Sequence, residues 1–121
     1  MSKIRTGYRM KAFVLSGVLL VISTILFIYP MDGPTEPRIF GPDKIVHYLL
    51  FFAMVLPALS VKPMIWVWLV PLAICYGILI ELIQPYFGRS RDVADMVANA
   101  LGALSAIPVA RWLNRRFIEL R

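Results

Sequence analysis

Apolar residues fill four long runs of the 121-residue chain, and polar residues gather in the gaps between them. The first run extends from about Ala12 to Tyr29 and the second from about Lys44 to Ser60. The third extends from about Met64 to Gln84 and the fourth from about Val93 to Leu113. A helix needs about 20 mostly apolar residues to cross the hydrocarbon of a bilayer, and the runs come at that length. Strand-period alternation is absent and the chain is too small for a transmembrane barrel. The expected class is therefore all-α, a polytopic membrane protein with four transmembrane helices. Lys62-Pro63 separates the second run from the third, which predicts a tight helical hairpin. The second run is short and is expected to tilt or to sit partly in a protein-lined cavity. Pro57, Pro71 and Pro108 fall inside runs. Neighbouring helices can satisfy the backbone groups a proline frees, so kinks are expected there rather than ends. The segment from Pro30 to Pro42, with four prolines and two glycines, is expected to be an irregular surface loop.

The first run follows basic residues, as a signal peptide does. Its apolar stretch exceeds the roughly 7–15 residues of a signal core, and Tyr29-Pro30-Met31-Asp32 is a poor cleavage site. It reads as a retained span.

Composition supports the membrane reading. Hydrophobic residues make up 60% of the chain and charged residues 17%, with a mean hydropathy of +0.74. Soluble domains run at about 45–50% and about 25%, which argues against a soluble enzyme or a disordered tail. The length allows a single domain over residues 1–121. The net charge of +6 matters less than where each charge lies. Lys3, Arg5, Arg9, Lys11, Lys62, Arg111, Arg115, Arg116 and Arg121 fall on one side, nine in all. Arg38, Lys44, Arg89 and Arg91, four in all, fall on the other. Basic residues stay on the cytoplasmic side, so both termini are expected there and the first and third loops outside. The basic tails read as topology signals and anionic-lipid contacts. Neither interleaves aromatics in the manner of a nucleic-acid face, so no nucleic acid is expected. Cys75, the single cysteine, excludes an intramolecular disulfide and a cysteine-based zinc site, and is expected to pack within its run.

The acids show the opposite bias: Asp32, Glu36, Asp43, Glu81, Asp92 and Asp95 all fall on the outer side, and Glu119 on the inner. Asp43, Lys44 and His47 open the second span, and Asp43 and His47, four apart, share a helix face. Gly77, Glu81 and Gln84 share a face at the end of the third, beside Tyr76. Asp92, Asp95, Asn99, Gly102 and Ala106 form a 3-4-3-4 stripe into the fourth, polar at its outer end and small further in. The loop from Pro85 to Arg91 adds Arg89, Ser90 and Arg91. Three helices thus bring carboxylates, an imidazole and carboxamides to one membrane face. A charge at a helix centre costs about 2.5–3.5 kcal/mol on insertion scales, so Glu81 and Asp95 need partners, of which Arg89, Arg91, Lys44 and His47 are the obvious ones. Each residue also has a plainer reading. Asp92 complements a helix dipole, Asn99 is interhelical glue, His47 is a packed histidine, and Glu81 pairs with an arginine for assembly. Ala98, Gly102 and Ala106, a small-xxx-small series, read as close helix packing. All the polar readings falling together on one face favours a shared cavity.

These residues resemble the VanZ-like family. That family shows Asp-Lys-x-x-His opening one helix, Glu-x-x-Gln ending the next, and a Gly-Arg-Ser-x-Asp-x-x-Asp-x-x-x-Asn-x-x-Gly run entering the last. Here they read Asp43-Lys44-Ile45-Val46-His47, then Glu81-Leu82-Ile83-Gln84, then Gly88-Arg89-Ser90-Arg91-Asp92-Val93-Ala94-Asp95 with Asn99 and Gly102. The resemblance covers about Ala12 to Leu113, and the chain is expected to be a minimal member without extra helices or an attached domain. The family is named for a glycopeptide-resistance protein linked to teicoplanin. The resemblance therefore implies a protein of the bacterial cell envelope, multi-pass in the cytoplasmic (inner) membrane, but supplies no reaction.

The residues support three readings. In the first, the cavity binds an anionic lipid headgroup or a lipid-linked cell-wall precursor. Arg89, Arg91 and Lys44 then meet phosphate, and Gln84, Ser90, Asp92 and Asn99 complete the site. In the second, the protein is an enzyme on a phosphorylated lipid. His47 is its acid or base, oriented by Asp43, with Glu81 and Asp95 as further catalytic candidates. Glu81, Asp92 and Asp95 would then hold Mg²⁺, which prefers oxygen ligands. In the third, the cluster is a scaffold that locks the bundle. Membrane lipids are expected partners, and a homo-oligomer is compatible with the pattern.

Overall fold

A computed structural model describes residues 2–28, 42–87 and 93–118, with the backbone alone at 2–6, 42, 43, 87 and 118. Every described element is helical. The long helices are α1 (Ser2–Ile28), α2 (Pro42–Val61), α3 (Trp66–Ile83) and α4 (Val93–Leu113). All four hold stretches long and apolar enough to cross a membrane, as a multi-pass membrane protein requires.

The elements follow the apolar runs with two extensions. α1 begins at Ser2 rather than near Ala12. The basic segment ahead of the run holds Lys3, Arg5, Arg9, Met10 and Lys11, all good helix formers, and no proline interrupts it. α4 continues into a π-type turn at Asn114–Ile118. Short 3₁₀ turns, Pro63–Ile65 and Gln84–Phe87, flank α3 and bring it to the length of its run. Pro42 opens α2, where a missing N–H leaves nothing unpaired. The expected loop over Pro30–Pro42 lies almost wholly outside the described residues.

Pro57, Pro71 and Pro108 all lie inside continuous helices. Near Pro57 a neighbouring helix takes up the backbone, because the Ala58 N–H donates to Ser16 Oγ of α1 at 3.0 Å. The Ser60 hydroxyl turns back and donates to the Pro57 carbonyl at 2.8 Å.

α2 is the most buried of the four spans and packs chiefly on α4, then on α1. The turn at Lys62-Pro63 reverses the chain, yet α3 packs more on α4 than on α2. Small residues make the α2–α4 seam possible. Ala98, Gly102, Ala103, Ala106 and Ala110 are buried along α4. A Cβ at Gly102 would collide with the Tyr48 carbonyl oxygen, so the two backbones touch there. Phe51, Val55, Ala58 and Leu59 of α2 fill the interior beside this seam, with Ile80 of α3.

At the end of the bundle near Lys62, Asn114 Nδ2 donates to the Ser60 carbonyl at 2.8 Å and ties α4 to α2. The Arg111 guanidinium lies 6.0 Å from the centre of the Trp66 ring. Cys75 departs from expectation: it sits on the exposed face of α3 rather than packed inside. α3 is apolar all round, so hydropathy alone does not tell its inner face from its outer one.

Candidate functional site

At the opposite end of the bundle the starts of α2 and α4 meet the ends of α1 and α3. Helical spacing decides which polar residues point inward. Lys44 and His47 are one turn apart on α2, Glu81 and Gln84 one turn apart at the end of α3, and Asp95 and Asn99 one turn apart on α4. All six are buried: Glu81 is 0% exposed, Gln84 and Asn99 1%, His47 2%, Asp95 6% and Lys44 8%. Ionisable groups are almost never buried to this degree unless they are paired or coordinated.

The partners lie across helices. Lys44 Nζ sits 2.8 Å from Asp95 Oδ1, an ion pair from α2 to α4. His47 Nε2 lies 3.5 Å from Asp95 Oδ2. The other ring nitrogen, Nδ1, lies 2.9 Å from Asn99 Oδ1, and since that oxygen accepts, Nδ1 carries the proton. Both nitrogens of His47 thus face α4, Nδ1 bonded to Asn99 and Nε2 turned towards Asp95. Donor atoms of His47, Glu81 and Asp95 all lie within 4.8 Å of one another, one from each of three helices. Asn99 Nδ2 and Gln84 Oε1 are buried without a hydrogen-bond partner among the described residues.

α1 also contributes, which the polar pattern did not indicate. The Phe27 ring stacks on the His47 ring with centroids 4.6 Å apart and 21° between planes. The Phe27 carbonyl accepts from Gln84 Nε2 at 2.9 Å. Phe51 packs on Phe27 at 5.7 Å and Tyr76 on Phe51 at 5.8 Å, which makes a ring column below the imidazole. The Tyr76 and Thr24 hydroxyls share a hydrogen bond between α3 and α1. Nothing in an apolar run marks Phe27. The one sequence signal was indirect: a carboxamide at Gln84, near a membrane face, needs an acceptor.

Of the residues singled out from sequence, Lys44, His47, Glu81, Gln84, Asp95 and Asn99 come together. Arg89, Ser90, Arg91 and Asp92 lie outside the described residues, as does the side chain of Asp43. The oxygen set Glu81, Asp92 and Asp95 is therefore described at Glu81 and Asp95, where the imidazole of His47 joins them. Asn99 does bond across helices, and its partner is the histidine.

An apolar groove of about 550 Å³ runs along α1, α2 and α3 towards this end. Phe13 and Leu20 of α1, Met54 of α2, and Leu72, Tyr76 and Leu79 of α3 are among its walls. Tyr76 belongs both to the groove and to the ring column under His47.

The VanZ/LLP1 family matches residues 8–114 of the chain. No curated protein and no solved structure matches it.

Proposed function

The chain belongs to the VanZ/LLP1 family, and we propose that its buried cluster receives the anionic headgroup of an envelope lipid or of a lipid-linked cell-wall precursor. The observation that carries this reading is the convergence of six buried polar side chains from three helices at one end of an apolar bundle. Locking a bundle does not require so many. Transmembrane helices associate through small residues and single interhelical hydrogen bonds, and the α2–α4 seam already has its small residues. A cluster near a bilayer face lies at the depth of lipid headgroups. The basis for anion recognition is Lys44 together with Arg89 and Arg91, which the sequence puts on the loop at this end. Arginine takes phosphate through its two-pronged fork. The apolar groove below would seat one hydrocarbon chain, with Tyr76 where chain and headgroup meet.

In this reading the site faces outward from the bacterial cytoplasmic membrane and both termini lie in the cytoplasm, as the basic residues favour. A protein that sequesters such a lipid would alter envelope composition or drug access, consistent with a family named for glycopeptide resistance.

One observation favours a second reading, an enzyme on a phosphorylated lipid. The imidazole of His47 is oriented by Asn99, with Nε2 3.5 Å from Asp95, as an acid or base must be oriented to act. Incubating the purified full chain with bacterial lipid extract and polyprenyl phosphates, with and without Mg²⁺, separates the two. The binding reading predicts an unchanged anionic lipid retained by the wild type and lost in Arg89→Ala or Arg91→Ala. A new lipid product that disappears in His47→Ala and Asp95→Ala would replace it with the enzyme. If neither retention nor product is found, both readings fall.

A further inference from the structure

We propose that His47, Glu81 and Asp95 form a site for a first-row divalent transition metal, buried at the meeting point of α2, α3 and α4. Three observations carry it, and none depends on the headgroup reading. The first is convergence: one nitrogen and two carboxylate donors, each from a different helix, lie within 4.8 Å of one another. Zinc binds nitrogen and oxygen donors at about 2.0–2.2 Å, which puts tetrahedral donors about 3.4 Å apart. The three side chains therefore need to close by about 1.4 Å at most. Ordinary torsional adjustment covers that.

The second observation is the state of the imidazole. With Nδ1–H donating to Asn99 Oδ1, the neutral ring leaves its lone pair on Nε2. Nε2 lies 3.5 Å from Asp95 Oδ2, close to the separation of two donors on one tetrahedral zinc, about 3.4 Å. A histidine that ligates a metal almost always donates its other N–H to a fixed acceptor, which sets tautomer and ring orientation. Asn99 is that acceptor, and the stacked Phe27 ring holds the imidazole plane. Asp95 is set in the same way: Lys44 holds Oδ1 at 2.8 Å and leaves Oδ2 towards the site.

The third observation is a spare donor. Gln84 Oε1 is buried and has no hydrogen-bond partner among the described residues, one helical turn from Glu81. It supplies a neutral oxygen for a fourth position. The mixed nitrogen and oxygen set decides the class of ion. Mg²⁺ prefers oxygens and keeps its waters, whereas imidazole favours the later first-row metals, with Zn²⁺ above Mn²⁺.

The test uses the full chain in detergent, without a polyhistidine tag, so that His47 is the one histidine present. After stripping with a chelator, it is titrated with Zn²⁺, Mn²⁺ and Mg²⁺ against a chromophoric competitor. The expected result is one saturable Zn²⁺ per chain, Mn²⁺ weaker and Mg²⁺ weakest. His47→Ala and Glu81→Gln should each lose more than about 100-fold in Zn²⁺ affinity. Asn99→Ala, which removes a positioning residue and no ligand, should lose about 10–100-fold. Should His47→Ala fail to fold, thermal unfolding decides: Zn²⁺ must raise the midpoint of the wild type and leave Asp95→Asn unmoved. The proposal is overturned if the folded wild type takes up no Zn²⁺ saturably, or if His47→Ala binds it equally well. It is also overturned if Mg²⁺ competes as strongly as Zn²⁺. The absence of uptake would leave the cluster a self-contained polar lock between helices.

Discussion

Gly102→Ala adds one methyl group at the narrowest point of the α2–α4 seam. Built on this backbone, the new Cβ overlaps the Tyr48 carbonyl oxygen and comes within 3.0 Å of its carbon and 3.2 Å of the Phe52 nitrogen. All of these are backbone atoms, so no side-chain rotation relieves the overlap and the helices must part. A gap of about 0.5–1 Å forfeits a quarter to a half of the dispersion energy of each atom pair facing it. Overpacking that side chains can absorb costs about 1–3 kcal/mol, and a clash between helix backbones belongs at the top of that range, so we expect a loss of about 3 kcal/mol. Gly17→Ala is the control. Nothing lies within 4 Å of its added Cβ, and alanine in a helix is worth about 0.5–1 kcal/mol over glycine, so this variant should gain stability. Both are read by titrating the detergent-solubilised chain with a denaturing surfactant and following helicity by circular dichroism. If Gly102→Ala unfolds within about 0.5 kcal/mol of the wild type, well below the range for overpacking, the close approach of α2 and α4 is refuted. The site should register the same change. Asn99 and Asp95 lie one and two turns from Gly102, so parting the helices draws them away from His47 and Lys44.

Three further outcomes follow from the packing. Gly77→Ala brings a Cβ to 3.2 Å from Asn99 Cβ and Nδ2 and from Phe51 Cε1. It should cost about 1 kcal/mol in the same unfolding assay and weaken whatever binds at His47. Asn114→Ala removes the bond to the Ser60 carbonyl at the far end. It should cost about 0.6–1.7 kcal/mol while leaving lipid retention unchanged. Lys44→Met breaks a buried ion pair and should cost about 3–5 kcal/mol. Combining it with Asp95→Leu should recover most of that stability, because an apolar pair can replace a buried ionic one. The double variant should still retain no anionic lipid. If it does retain lipid, the ion pair is a scaffold and nothing more.

Most of this architecture was legible in the sequence because hydrocarbon imposes simple rules. Apolar runs of spanning length marked the four helices to within a few residues of α2, α3 and α4. The stripe Asp95, Asn99, Gly102, Ala106 marked the α4 face that meets α2, since polar and small residues have no reason to face lipid. The same rules gave no help where every residue is apolar. They led to the expectation that Cys75 packs inside, whereas it is exposed, and they hid Phe27, which enters the site through its ring and its backbone carbonyl. They also named candidate partners for Asp95 without ranking them. Finding Lys44 and His47 beside Asp95 among the described residues needed the crossing of α2 and α4, where Gly102 lets the backbones touch. The start of α1 was missed for a different reason: basic residues end an apolar run but do not end a helix.

The proposed meeting of the buried cluster with a ligand at a lipid face can be measured directly, because the chain holds a single histidine. Chain labelled with ¹⁵N at histidine and placed in zwitterionic bilayers gives signals from the two ring nitrogens of His47 alone. Nδ1 is expected to be protonated, from its bond to Asn99, and to stay so. Nε2 is expected to shift saturably when an anionic phospholipid or a polyprenyl phosphate is added, and not to shift in Arg91→Ala. Two ring signals unmoved at saturating anionic lipid would overturn headgroup binding and leave the cluster as a lock between helices.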